Sequence, residues 1–193
     1  MVKEIKWILT ALDHFIFDHV HPFISGMNTN IMVFISFFAS HTFLLPANIL
    51  LAVYFLFIKK NNWIAIKVIL VSLGSVLLLY LLKFYFRRIR PAHPVHEAAS
   101  GYSFPSGHSM SAVTFYGLII CLFVSQIKDK RIKWLCTIFL SMLILAIGFS
   151  RIYLRVHYAS DVLGGFAIGY IWLTVSLRII NWFEKRSLYD ETR

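Results

Sequence analysis

The chain has 193 residues, of which 59% are hydrophobic, 17% aromatic and 15% charged, with a formal net charge of +10 from 19 Lys+Arg against 9 Asp+Glu. Such a composition excludes an ordinary water-soluble domain and places the chain in the membrane class. The positive balance alone would suit nucleic acid, but the basic residues fall between apolar runs, where orientation signals and anionic headgroups account for them, so no nucleic-acid partner is expected.

A helix crossing the hydrocarbon layer needs about 20 predominantly apolar residues. The first stretch, "EIKWILTALDHFIFDHVHPFI" at 4–24, is apolar but broken by Asp13, His14, Asp18, His19 and His21. It is expected to lie in the membrane interface rather than to cross. Its broken apolar run, with no small-residue cleavage site after it, argues against a cleavable signal peptide. Spans are expected near 31–58 (with Ser40 and His41 marking a break that could confine the crossing to 42–58), 63–82, 107–126, 134–150 and 158–182. The expected fold is all-α, a polytopic membrane helix bundle of about five transmembrane helices plus an N-terminal interfacial helix, forming a single integral-membrane domain over 1–193. Cys121 and Cys136 both sit in apolar surroundings and suggest neither a disulfide framework nor a zinc site.

The connections sort by charge. Those after the first and third spans, and the tail after the fifth, carry Lys59, Lys60, Lys128, Lys130, Arg131, Lys133, Lys185 and Arg186, which the positive-inside rule places in the cytoplasm. The connections after the second and fourth spans, 84–106 and 151–157, then face outward. They are basic too, through Arg87, Arg88, Arg90, Arg151 and Arg155. A charge pattern that opposes the rule points to function.

Three stretches converge on that outward face: Lys83 to Arg90-Pro91, Pro105-Ser106-Gly107-His108, and Ser150-Arg151 through His157 to Asp161. Lys83, Arg90 and Arg151 supply cations, and the planar fork of Arg suits phosphate oxygens. Backbone N–H groups of Ser106, Gly107 and His108 open a helix, where unpaired donors and the dipole favour an anion. Asp161 is the one acidic residue inside an apolar span, and a spacing of four is expected to put it on one helical face with His157. By accepting from Nδ1–H, Asp161 would fix the tautomer and leave Nε2 of His157 a lone pair for nucleophilic attack. His108, on another helix, is placed to protonate the leaving alkoxide. Magnesium would need clustered carboxylates, whereas this face holds only Glu97 and Asp161, so no metal and no other cofactor is expected.

These motifs together closely resemble the type-2 phosphatidic acid phosphatase superfamily, the integral-membrane lipid phosphate phosphatases. The family pattern of Lys, six residues, Arg-Pro; Pro-Ser-Gly-His; and Ser-Arg, five residues, His, three residues, Asp is complete here. The resemblance spans about 83–161. It implies a metal-independent phosphatase with a phosphohistidine on His157, His108 as acid and Asp161 orienting the nucleophile. Lys83, Arg90, Ser106, Gly107 and Arg151 would hold the phosphoryl group. The short chain and "HEAASGYSFPSGHS" at 96–109 look like small bacterial members acting on undecaprenyl diphosphate or phosphatidylglycerol phosphate. Undecaprenyl diphosphate is the favoured substrate, with phosphatidylglycerol phosphate or phosphatidic acid next. The site is expected at the extracytoplasmic side of a bacterial cytoplasmic membrane, the bilayer and its lipid phosphates being the partners. Larger relatives carry an additional N-terminal span in place of the interfacial stretch.

Glu97 and Tyr102, in the outward loop, are candidate substrate contacts. Gly165 and Gly169 read as close helix packing. Two other functions remain: a lipid-linked phosphotransferase using the same intermediate, and a non-catalytic lipid-binding membrane protein, which would need the cations but not a positioned nucleophile.

Overall fold

The computed structural model describes residues 2–96 and 100–191, with side chains described over 10–96 and 100–189. Seven α-helices follow in chain order among these residues: α1 (Val2–Val20), α2 (Gly26–Phe37), α3 (His41–Val53), α4 (Asn62–Phe86), α5 (Gly107–Leu122), α6 (Lys130–Tyr153) and α7 (Ala159–Glu191). Their starts are written in the sequence. Ser25, Ser40, Asn61, Ser106 and Asp129 each accept a backbone N–H of the first turn of α2 to α6, satisfying donors that a helix cannot pair internally. The cap at Ser40 divides the first apolar run into α2 and α3.

Among the described residues, five helical stretches are long and apolar enough to cross a membrane: Gly26–Ile58, Asn62–Phe86, Gly107–Gln126, Lys130–Tyr153 and Ala159–Tyr189. The bundle is all-α, as expected. Its outer faces carry Leu73, Leu77, Leu81 and Phe84 on α4, Leu135, Phe139 and Met142 on α6, and Tyr170 and Ile171 on α7, all exposed. Only lipid is a suitable solvent for such a surface.

The enclosed helix is α5, on which Met110, Ala112 and Leu118 are fully buried. It lies close against α7 because α7 offers glycines there. A Cβ at Gly165 would stand 2.7 Å from the Ser106 carbonyl oxygen, and one at Gly169 would stand 2.9 Å from that of Met110. Backbone contacts then draw the α4–α5 and α6–α7 connections together. Ser106 N–H donates to the Asp161 carbonyl (3.0 Å), Ser103 N–H to Arg88 (2.7 Å) and Val95 N–H to Leu154 (3.0 Å).

The N-terminal helix packs against the end of α6 and the start of α7. Asp13, Phe17 and Val20 lie on one buried face of it, with Val20 against Tyr153, Leu154 and Val156, and Phe17 beside Tyr158. His14 and His19 remain exposed. Sequence reasoning counts Asp13 among the charges that keep this stretch at an interface, but its side chain is inside.

Gly165→Ala should destabilise the bundle by roughly 1–3 kcal/mol, the usual range for overpacking, because its clash is with backbone rather than a movable side chain. Thermal unfolding in detergent measures this. Gly26→Ala is the matched control, since nothing lies within 4 Å of its added Cβ.

Candidate active site

Asp161 lies in the first turn of α7 and is fully buried. Its Oδ2 accepts the Tyr158 backbone N–H at 3.0 Å and the Ser103 hydroxyl, and its Oδ1 accepts from Arg88 Nη1 at 2.7 Å. The bond to Tyr158 is the returning half of a capping box, which is why an acid three residues after a helix start turns back toward the preceding chain. His157 stands in that preceding turn, not in the helix. The expected shared helical face is therefore replaced by a turn-to-helix contact, with Nδ1 at 3.6 Å from Asp161 Oδ2 and 3.5 Å from Ser103 Oγ.

The other ring nitrogen decides the tautomer. Arg90 Nη1 lies 3.1 Å from His157 Nε2, and a guanidinium can only donate, so Nε2 holds the lone pair and Nδ1 carries the proton. The ring is 2% exposed. Burial above all, then the charges of Arg90 and Arg151, lowers the His157 pKa from 6.5 to about 4 against the opposing pull of Asp161.

Arg90 and Arg151 act on this ring, and Lys83 lies within electrostatic range of Arg90. Arg90 is fixed by the Gly101, Val156 and Ser100 carbonyls at 3.0, 2.8 and 3.0 Å. Lys83 Nζ donates to the Tyr102 carbonyl at 2.5 Å. Arg151 Nη1 donates to Ser36 Oγ at 2.5 Å, while its buried Nε has no partner. A buried, unpaired guanidinium N–H among three cations is suited to an anionic oxygen. His108, in the first turn of α5, lies within electrostatic range of Arg151, His157, His41 and Arg90. Among the described residues, no three or more His, Cys, Asp or Glu side chains are grouped to hold a metal ion.

Lys83, Arg90, Ser106, Gly107, His108, Arg151, His157 and Asp161 thus gather at one end of the bundle. Two further details concern Ser106 and Tyr102. The Ser106 N–H is spent on Asp161, so the start of α5 leaves Gly107 and His108 as its free amides. Tyr102 meets Lys83 through its carbonyl, not its ring. Glu97 lies outside the described residues. Sequence reasoning missed Arg88, Ser36, Ser103 and Asp13. Arg88 hides inside the six-residue gap between Lys83 and Arg90. Asp13 had a signal: it shares a helical face with Phe17 and Val20 at spacings of four and seven.

The fold and pocket describe a membrane enzyme for phosphoryl groups, and comparison with known proteins agrees. The family model described as PAP2 superfamily matches residues 63–185. The chain belongs to the PAP2 superfamily and is a membrane phosphatase of that family. Phosphatidylglycerophosphatase B of Bacillus subtilis (strain 168) is 36% identical over 145 residues, covering 72% of this chain and 68% of that relative. The undecaprenyl-diphosphatase BcrC of the same organism is 31% identical over 147 residues, covering 74% of this chain and 69% of that relative. The crystal structure of a transmembrane PAP2-type phosphatidylglycerolphosphate phosphatase from Bacillus subtilis matches with a TM-score of 0.80 at 27% identity, covering 93% of this chain and 87% of that one.

If the neutral His157 ring is what turnover requires, kcat/KM should hold as pH falls below 6.5 and decline only as it passes through about 4. The profile is measured with substrate ionisation determined separately. An acid limb near 6.5 that belongs to the enzyme would contradict a buried, cation-flanked imidazole.

Proposed function

We propose that the chain hydrolyses the terminal phosphate of a membrane lipid phosphate or diphosphate through a phosphohistidine on His157, without a metal, at the extracytoplasmic face of a bacterial cytoplasmic membrane. The observation that carries this reading is the buried lone pair of His157 Nε2, aimed at the Arg90 fork. An incoming phosphate takes over the Arg90 donors, together with Arg151, Lys83 and the Gly107 and His108 amides. Nε2 attacks phosphorus, the P–O bond to the lipid breaks, and His108 gives its proton to the departing oxygen. His108 then takes a proton from water as that water attacks the phosphohistidine. The P–N bond breaks, its electron pair returns to Nε2, and inorganic phosphate leaves. Fixed cations balance the charge on the transferred group, the task a metal would otherwise perform.

A groove of about 680 Å³ supports a lipid as substrate. It is apolar over most of its length, runs between α3 and α4 past Leu45, Ile49, Leu73 and Val76, and reaches Gly107 and His108. A chain lying there would bring its phosphate to the cations. Phosphatidylglycerol phosphate and undecaprenyl diphosphate are the leading substrates. The more similar relative bears the name of the first, whereas the sequence motifs favoured the second. The chain acts as one membrane-embedded unit on this reading, with hydrolysis preferred to transfer onto another acceptor.

Both lipids, phosphatidic acid and short-chain analogues are to be assayed for phosphate release in EDTA. Long-chain substrates should be preferred, EDTA should not inhibit, and an acid-labile phosphoenzyme should be trapped on His157. His157→Ala should abolish turnover and trapping while still binding vanadate, and His108→Ala should slow poor leaving groups most. Near-normal hydrolysis by His157→Ala would overturn the mechanism.

The lysine-rich connections support the orientation. In intact cells, His93→Cys should react with an impermeant thiol reagent and Lys130→Cys should not, in a background lacking Cys121 and Cys136. The reverse pattern would place the site in the cytoplasm.

A further inference from the structure

The N-terminal helix carries a carboxylate that neither its docking nor the phosphate pocket requires. Ala11, Leu12, His14 and Phe15 of α1 are exposed, yet Asp13 between them is 1% exposed. Its Oδ1 accepts the Ser160 backbone N–H at 2.9 Å, and its Oδ2 accepts the Ser160 hydroxyl and Arg88 Nη2, each at 2.7 Å. The same guanidinium places Nη1 at 2.7 Å from both Asp161 Oδ1 and Ser160 Oγ and lies over the Tyr158 ring at 4.3 Å. Arg88 therefore bridges two carboxylates, one from α1 and one beside His157.

Docking of α1 is already served by Phe17 and Val20, and a buried ion pair carries a large desolvation penalty and is weak evidence for stability. Charge balance supplies a better reason. With Asp13 in place, Arg88 and the two carboxylates sum to one net negative charge behind His157. With Asp13 removed, Arg88 alone would neutralise Asp161. His157 faces the charges of Arg90 and Arg151, with His108 nearby. Its ring becomes positive when Nε2 bonds phosphorus while Nδ1 keeps its proton, so it then needs a counter-charge that Arg88 has not cancelled.

Resting on the phosphohistidine reading above, we propose that Asp13 is a positioning residue for the nucleophile: by holding half of the Arg88 guanidinium, it keeps Asp161 oriented toward His157 and leaves a net negative charge behind that ring. The N-terminal helix thereby completes the active site without touching substrate.

The test uses the full chain in lipid nanodiscs. Single-turnover phosphoenzyme formation, kcat, KM and vanadate affinity are measured for wild type, Asp13→Asn, Asp161→Asn and the double variant. Asp13→Asn should slow phosphoenzyme formation and kcat about tenfold, the scale of one close charge interaction, with KM and vanadate affinity nearly unchanged. In the Asp161→Asn background it should add almost nothing, because its effect passes through Asp161. The same loss in both backgrounds, an unaltered rate, or a collapse of vanadate affinity would make α1 a structural element only and overturn the proposal. Should Asp13→Asn not fold, Arg88→Lys replaces it: a lysine keeps the charge but lacks the fork that holds two carboxylates, and the same outcomes apply. Wild type that forms no phosphoenzyme defeats the phosphohistidine reading itself. Wild type that forms one while Asp13→Asn behaves identically defeats only the role of Asp13.

Discussion

A carboxylate shut away from water must find its counter-charge in the protein, and one end of this bundle is organised around that demand at Asp161. Its side chain binds Arg88 from the connection after α4, Ser103 from the loop before α5 and the Tyr158 amide at the start of α7, while its carbonyl binds the Ser106 amide. Breaking such a set by removing one partner typically costs about 3–5 kcal/mol. The α4–α5 and α6–α7 connections are therefore held in register by one residue. Each of those connections also brings cations to the candidate site, Arg90 from the first and, at the edge of the second, Arg151.

The pocket has an electrical direction. Arg90, Arg151 and Lys83 lie toward the space where an anion would sit, Asp161 lies behind, and neutral His157 stands between them. Burial and the neighbouring cations hold its pKa at about 4, so the ring keeps its lone pair through the neutral range. On the proposed mechanism, the contact from Arg90 to Nε2 aligns the lone pair with the donors that an anion would take. Preorganisation of this kind does its work before substrate arrives, when no dipole needs to turn during reaction.

Two solvents meet at this end of the molecule. Below it, α4, α6 and α7 present leucine, isoleucine and aromatic side chains outward, and the groove between α3 and α4 continues that apolar character to His108. Above it, arginines and polar loop carbonyls form the walls. Membership of the PAP2 superfamily and the likeness to membrane phosphatases from Bacillus subtilis agree with a bundle held in a membrane. On the proposed mechanism, the lipid phosphate matches this end in both parts: a tail for the groove and an anion for the cations.

Span number, all-α class and the residues of the pocket were legible in the chain because they depend on local order: apolar runs of sufficient length, capping residues and fixed intervals between Lys83 and Arg90 or His157 and Asp161. Gly165 and Gly169 were legible as packing positions for the same reason. Tertiary structure decided the rest. His157 fell in a turn and not on the helical face that its spacing suggested, because the capping box at the start of α7 pulled Asp161 back toward it. The Ser106 amide went to a carbonyl on another helix. Arg88 and Asp13, separated by 75 residues, became partners only when α1 folded across α7. Sequence spacing governs which residues share a turn, but a buried charge chooses its partners by distance in space, and that choice exists only once the helices have packed.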